Sequence, residues 1–213
     1  MIPFFFMIFV VIVLWVSFGR RRSDRLNKEA SERFWDKEQR ANLTRKKDIS
    51  NLDYIAIPVD TLPFPETDKE EITDLQKLIL HLSTQKIVNF TGLTNTELKL
   101  MYGAPNLPLL MEFDKNYLEL VRTLYRYGKY LHELGLIAEA KTILEFGLSI
   151  GTDVSANYTL LAEIYKEENA KERIDFVISC AENLTSLTKK ALLANLMTIR
   201  DSAMGQNEPV DEP

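Results

Sequence analysis

The chain has 213 residues, which suffices for one ordinary domain with appendages and is crowded for two. Hydrophobic residues make up 46% and charged residues 27%, as in folded proteins, so these proportions argue against wholesale disorder. Through Lys47 there are eleven Lys or Arg against five Asp or Glu, a net of +6, whereas the remainder has fifteen against twenty-six, a net of −11. Because nucleic-acid affinity depends on neutralising phosphates with basic side chains, the acidic body argues against a nucleic-acid partner.

The chain begins with an almost uninterrupted apolar run from Ile2 to Phe18. As a helix, this run would be roughly 26 Å long, which is at the short limit for a bilayer core of about 30 Å. A cleavable signal peptide has positive charge before its apolar run, and here the arginines follow it. A secretory signal or a buried core helix are the alternatives to a membrane anchor. We predict a transmembrane anchor over residues 1–19, flanked by Trp15, Arg20, Arg21, Arg22 and Arg25.

The position of the arginines also predicts the orientation of the chain. Basic residues gather on the cytoplasmic side of membrane proteins, so the part after the anchor is expected in the cytoplasm. The predicted localisation is the cell membrane, with a single pass and a cytoplasmic C-terminal domain.

Residues 20–49 form a predicted basic juxtamembrane helix with a thin apolar stripe. Three interpretations stay open: a solvated stalk, a helix resting on anionic headgroups, and a helix that pairs with a second copy.

Between residues 50 and 66 the helical periodicity stops, and three prolines alternate with apolar residues. Proline lacks a backbone donor and has a fixed φ, so this segment is predicted to be extended. It is too apolar for a free linker, and we expect it to lie across the folded domain.

The predicted helical domain covers residues 67–203. A capping box at Thr67 and Glu70 predicts a first helix that ends near Ser83, and a shorter one is predicted from Thr94 or Asn95 to Gly103. Residues 104–112 carry two prolines and predict an apolar loop. A disordered acidic tail is predicted at 204–213.

From Tyr117 to Leu184 the apolar and small positions recur after 34 residues. The first predicted hairpin has a helix from its N-cap Asp114 to a turn at Gly135, then a helix over 137–150. The second has helices at 155–168 and 171–184. A last helix, at 187–200, is predicted to cover the exposed end, since each repeat buries its apolar face only against its neighbour.

This 34-residue pattern resembles the tetratricopeptide repeat. With Gly135 at the turn of that repeat, Gly128, Ala140 and Gly147 lie at small-residue positions where helices cross. The second copy departs from the pattern, with Asn169 and Ile174 in place of the expected Gly and Ala. The resemblance implies a helical-hairpin domain over 117–184. With the predicted N-terminal transmembrane helix and C-terminal capping helix, the predicted fold class is all-α. The layout also resembles uncharacterised bacterial single-pass membrane proteins.

In the family, the first helix of each pair lines a concave face that receives a peptide. Carried over to this sequence, the resemblance implies a partner-binding face made of Arg122, Tyr125, Lys129, His132, Thr159, Glu163 and Lys166. Lys129 stands where chaperone-binding members use asparagine to hold a terminal carboxylate, so that ligand is not implied. The alternative is that these residues are solvated helix surface.

No catalytic constellation is found in the sequence. His81 and His132 lie in predicted helices without other ligands at metal-binding spacing, and no glycine-rich phosphate loop occurs. Cys180 is expected to be a buried small hydrophobe. We therefore expect no cofactor, no metal and no enzymatic activity, and predict a membrane-anchored adaptor or assembly factor that binds another protein or peptide. The alternative is a permanent structural subunit of a larger membrane complex.

Overall fold

The structure is a computed structural model that describes residues 2–204, with side chains described at residues 6–9, 15 and 27–203. This part of the chain contains helices and loops without a strand, which confirms the predicted all-α class. The helices in chain order are α1 (Ile2–Asn42), α2 (Glu70–Ser83), α3 (Asn95–Tyr102), a 3-10 turn (Ala104–Asn106), α4 (Leu107–Glu133), α5 (Ile137–Ser149), α6 (Ser155–Glu167), α7 (Lys171–Glu182) and α8 (Lys189–Met204).

The chain divides into two compact units, which are described separately. The first comprises Met1–Asp48 with Thr94–Leu107, and the second comprises Ile49–Leu93 with Pro108–Pro213. The predicted acidic tail lies outside the described residues, apart from the backbone of Met204 at the end of α8.

The first unit is built on α1, which runs for 41 residues without a break through both the predicted anchor and most of the predicted juxtamembrane helix. In the described residues, no helix is both long and apolar enough to pass through a membrane. Most side chains of the predicted anchor at 1–19, and all four flanking arginines, lie outside the described set. Trp15 is within it and is exposed.

The short helix α3 packs against α1. The helix starts where the sequence predicts, and the structure shows a capping box at its N-terminus, with Thr94 as N-cap and Glu97 as its reciprocal partner. The carboxylate of Glu38, on α1, accepts hydrogen bonds from the Thr96 hydroxyl at 2.7 Å and from the Lys99 ammonium. These contacts fix α3 on the C-terminal part of α1.

Helix α4 begins earlier than predicted, which corrects two sequence-based expectations. Residues 104–112 are not a loop, and Asp114 is a residue inside α4, not its N-cap. Pro105 lies in the 3-10 turn and Pro108 is the second residue of α4. A proline in the first turn costs no hydrogen bond, because the N–H groups there have no partner within the helix.

The predicted capping box at Thr67 is also wrong. Helix α2 follows Lys69, which makes no side-chain cap, and the Thr67 hydroxyl accepts a hydrogen bond from the Lys69 N–H at 3.2 Å. Thr67 therefore closes a turn that precedes the helix.

The remaining helices confirm the predicted order, with ends shifted by a few residues. Gly135 and Gly151 follow α4 and α5 with φ values of 77° and 75°, the left-handed conformation that glycine adopts without steric cost. Helix α8 packs against α6 and α7 and buries Leu192, Leu196 and Ile199, so it covers the last hairpin as predicted.

The segment before α2 is non-helical and contributes to the core of the second unit, as expected. Ile57 and Leu62 are buried, and Ile55, Val59 and Phe64 pack against the same core. The core thus joins side chains from this segment and α2 to those of α4–α8.

Candidate functional site

The two hairpins bury the same positions after a shift of 34 residues. Every position matched in the sequence by this shift is buried in both copies. The matched pairs are Leu124 with Tyr158, Tyr127 with Leu161, Gly128 with Ala162, Leu131 with Tyr165, Ala140 with Ile174, Leu144 with Ile178, and Gly147 with Ala181. The period found in the sequence is therefore a period of the three-dimensional core.

Helices α4 and α5 make their close approach at Gly128. A Cβ atom on Gly128 would lie 2.8 Å from the Leu144 side chain and 3.6 Å from the carbonyl oxygen of Ala140. The small residue at this position is therefore needed for the two helices to touch.

Helix α6 approaches α5 at Gly147. The side chain of Asn157 lies beside this glycine, with its Oδ1 atom 3.1 Å from where a Cβ atom would be. Its Nδ2 group donates to the carbonyl of Leu144 at 3.0 Å, while Oδ1 has no hydrogen-bond partner among the described residues. Asn157 is 1% exposed, so it is part of the joint between the hairpins.

A polar cluster links three helices on another face. Glu145, on α5, accepts hydrogen bonds from the Tyr165 hydroxyl on α6 and from the Arg173 guanidinium on α7. Arg173 also donates to the Tyr165 hydroxyl at 3.0 Å, with its guanidinium carbon 5.2 Å from the ring centroid. Burial, with the neighbouring Glu145 carboxylate, raises the pKa of Tyr165 to about 12, so the phenol stays protonated and keeps donating.

The segment before α2 is tied to α4 through Tyr127. The Tyr127 hydroxyl donates to the carbonyl of Pro63 at 2.7 Å and accepts from Gln76 Nε2 at 3.1 Å, and the ring of Phe64 stacks on the Tyr127 ring at 6.3 Å. One side of α4 is therefore covered.

The four predicted partner-binding residues of α4 follow one another at spacings of three and four residues, so they share a face of the helix. Arg122 and Lys129 are exposed, while Tyr125 and His132 are half-buried. Lys129 pairs with Glu133 at 3.6 Å. Both partners of this pair are about half exposed, so the pair contributes little to stability and can open to a ligand.

The three predicted residues of α6 also share one face, and all are half-buried. Lys166 pairs with Glu163 at 3.4 Å. The Thr159 hydroxyl accepts a hydrogen bond from Asn195 of α8 at 3.3 Å, so α8 borders this part of the face. In the described part of the chain, no hydrogen bond or ion pair joins these residues to the predicted residues of α4.

A cavity of about 700 Å³ lies elsewhere in the second unit, and the sequence did not indicate it. Residues from five parts of the chain line it: the segment before α2, the segment after α2, the end of α5 with the α5–α6 turn, Tyr158 of α6, and the end of α7 with the segment that follows it. None of the seven predicted partner-binding residues is among them.

Two buried tyrosines hold the α5–α6 turn beside this cavity. The Tyr117 hydroxyl donates to the Gly151 carbonyl at 2.7 Å and accepts from Asn89 Nδ2 at 2.9 Å. The Tyr158 hydroxyl donates to the Thr152 carbonyl at 2.8 Å. Each tyrosine lies in an apolar helical stripe, where nothing in the local pattern distinguishes it from an ordinary core residue.

In the part of the chain that the structure describes, no group of three or more His, Cys, Asp or Glu residues could hold a metal ion. Cys180 is half-buried and lines the cavity, so it is more accessible than the core position predicted for it. His81 is exposed at the end of α2.

Comparison with known proteins gives no relative: no protein-family model, no curated protein and no solved structure matches the chain.

Proposed function

We propose that this chain is a membrane-anchored, non-catalytic interaction protein that binds another protein through a tetratricopeptide-like helical domain. The observation that carries the proposal is the burial of all seven matched pairs at the 34-residue spacing. When a sequence repeats one helical hairpin, equivalent positions are buried in both hairpins. Stacked hairpins of this kind expose a continuous face to which a partner can bind.

The proposed binding face consists of the seven residues named above on α4 and α6. Tyr125 offers an aromatic surface of the kind that dominates protein interfaces, and Arg122 and Lys129 beside it favour an acidic partner segment. Tyr127, on the same helix, is not available to a partner, because it is buried beneath Pro63 and Phe64.

For the anchor, the proposal rests on the apolar run at 2–18 and on the arginines that follow it. A helix of 41 residues is about 60 Å long at 1.5 Å per residue. If its first part spans a bilayer, its second part points away from the membrane. This continuity favours the stalk over a helix lying on the headgroups.

The binding face is tested by co-purification from detergent-solubilised membranes. We expect Tyr125→Ala combined with Lys129→Glu to remove partners that the wild type retains. The matched control is Phe176→Ala with Lys171→Glu, an exposed aromatic and an exposed lysine of α7. An unchanged partner set in the first variant would contradict this assignment.

The size of the protein particle after detergent extraction distinguishes an adaptor from the alternative, a permanent structural subunit of a larger membrane complex. An adaptor should be found partly free, whereas a permanent structural subunit should appear only within a large complex. Anchoring itself is tested by alkaline extraction of membranes: the full chain should stay in the pellet, and a chain lacking residues 1–19 should be released.

A further inference from the structure

The cavity in the second unit is large enough for a small organic ligand, since such sites typically enclose about 300–1,000 Å³. Its lining includes two buried residues, Leu148 and Tyr158, and the half-buried side chains of Ile55, Ile150 and Leu184. This apolar interior suits an aliphatic or otherwise apolar stem.

The polar lining consists of hydroxyl and amide groups, which can accept hydrogen bonds as well as donate them, and its charged residues are all acidic. Asp53 is exposed and Asp153 is half-buried, and both belong to the lining. No Lys, Arg or His is present among the lining residues. Among the described residues, neither aspartate has an ion-pair partner within 4 Å, and Lys86 lies instead over the rings of Tyr54 and Phe113.

The charge of the lining residue Asp153 also acts on two groups outside the lining, Tyr117 and Asp114. Burial is the main cause that raises the pKa of Tyr117, and the charge of Asp153 contributes to the shift. The pKa of Asp114 is raised as well, by burial first and by Asp153 in addition. An anion would add to this repulsion, and a cation would relieve it.

We propose that this cavity binds an organic cation: a protonated amine or guanidinium group on an aliphatic stem, with the stem against Leu148 and Tyr158 and the charged head between Asp53 and Asp153. The guanidinium and ammonium groups are pure donors, which the acceptors at the rim can satisfy. The cavity shares no residue with the proposed partner-binding face, so this inference goes beyond the proposed function and does not depend on it.

Two kinds of ligand carry such a cationic group on an aliphatic stem: a free amine, and a peptide with an arginine or lysine side chain. Agmatine is a probe for the first source. The capped tripeptide acetyl-Gly-Arg-Gly-amide is a probe for the second, and its counterpart with citrulline in place of arginine keeps the shape without the charge.

Cys180 supplies the readout, because it is the single cysteine of the chain and lines the cavity. An occupant should slow the alkylation of this thiol by N-ethylmaleimide in the full chain, in proportion to occupancy. Isothermal titration calorimetry on the same preparation gives the affinity directly and does not depend on the reactivity of the thiol.

Two variants remove one carboxylate each. We expect Asp153→Asn to weaken binding of the effective probe about tenfold, the lower end of what a hydrogen bond to a charged group contributes. Asp53→Asn should act in the same direction, and it leaves the fold intact because Asp53 is exposed. The matched control is Asp74→Asn, which removes an equal charge from α2, away from the cavity.

Binding by agmatine alone identifies a free amine, and binding by the arginine peptide alone identifies a side chain; both results support the proposal. It is overturned if neither probe slows alkylation or releases heat. It is also overturned if the citrulline peptide binds as well as the arginine peptide, or if Asp74→Asn weakens binding as much as the two cavity variants.

Discussion

Gly128 and Leu144 meet so closely that a Cβ atom on the glycine would lie 2.8 Å from both Cγ and Cδ2 of the leucine. Leu144 is fully buried, and because protein interiors are close-packed its side chain has little room to move away. This contact sets how near α4 and α5 can approach, and it is the point where the first hairpin is most sensitive to added volume.

Gly128→Ala is therefore expected to destabilise the second unit. Overpacking of a core lowers the free energy of unfolding by about 1–3 kcal/mol. Alanine has a better helix propensity than glycine, which raises it by about 1 kcal/mol. Because the new contact would be as short as 2.8 Å, we place the overpacking cost at its upper end and expect a net loss of about 2 kcal/mol in the free energy of unfolding, measured by urea denaturation. A variant as stable as the wild type would show that the two helices do not touch here.

The contact can be isolated by a double-mutant cycle. Leu144→Ala alone should cost about 2–5 kcal/mol, and it also removes the atoms that the new methyl group would meet. The combined variant should therefore lose less than the sum of the two single losses. If the loss in the combined variant equalled the sum of the two single losses, the destabilisation by Gly128→Ala would not arise from its contact with Leu144.

Tyr127→Phe should loosen the segment that precedes α2. The change removes the hydrogen bond to the Pro63 carbonyl and the acceptor for Gln76, which should cost about 1–2 kcal/mol. Hydrogen exchange of the backbone amides near residues 59–64 should become faster. Tyr125→Phe is the control, because the Tyr125 hydroxyl has no hydrogen-bond partner among the described residues, and equal effects of both variants would contradict this account.

Glu97 should titrate far below an ordinary glutamate. Hydrogen bonds from the Thr94 backbone and side chain, together with the charge of Lys37, lower its pKa from 4.5 to about 2. Because the pKa is lower in the folded state, the carboxylate stabilises the first unit above about pH 4.5, and this contribution is lost as the pH falls toward 2.

The measurement is an NMR titration of the Glu97 side-chain carboxyl group. In the wild type its midpoint should lie near 2, and Thr94→Ala should raise it by removing the side-chain donor while leaving the backbone N–H in place. A wild-type midpoint at the ordinary value would show that the capping box is not formed in solution.

Hydrophobic periodicity was sufficient to predict α5–α8, because each of these helices buries one stripe. In addition, α5, α6 and α7 each end at a polar or glycine turn. Periodicity failed at the start of α4, where Pro105 and Pro108 resemble loop residues although both are compatible with a helical first turn. Whether a proline belongs to a loop or to the first turn of a helix depends on which backbone N–H groups need a hydrogen-bond partner. The spacing of residues in the sequence does not show this.

The cavity was not predictable for a different reason. Asp53, Asn89, Asp153 and Cys180 come together from distant parts of the chain, so no local motif contains more than one of them. The proposed partner-binding face, in contrast, consists of residues at regular helical spacing that the family resemblance selects. That these residues bind a partner stays a prediction.

The most direct test of the proposed function is photo-cross-linking in intact cells with p-benzoylphenylalanine in place of Tyr125. The control carries the same group in place of Phe176, which is aromatic like Tyr125 and is exposed, but lies on α7. We predict a discrete protein adduct from position 125 that Lys129→Glu abolishes, and no such adduct from position 176. The same adducts from both positions, or none from position 125, would contradict the assignment of the α4–α6 face as the binding surface.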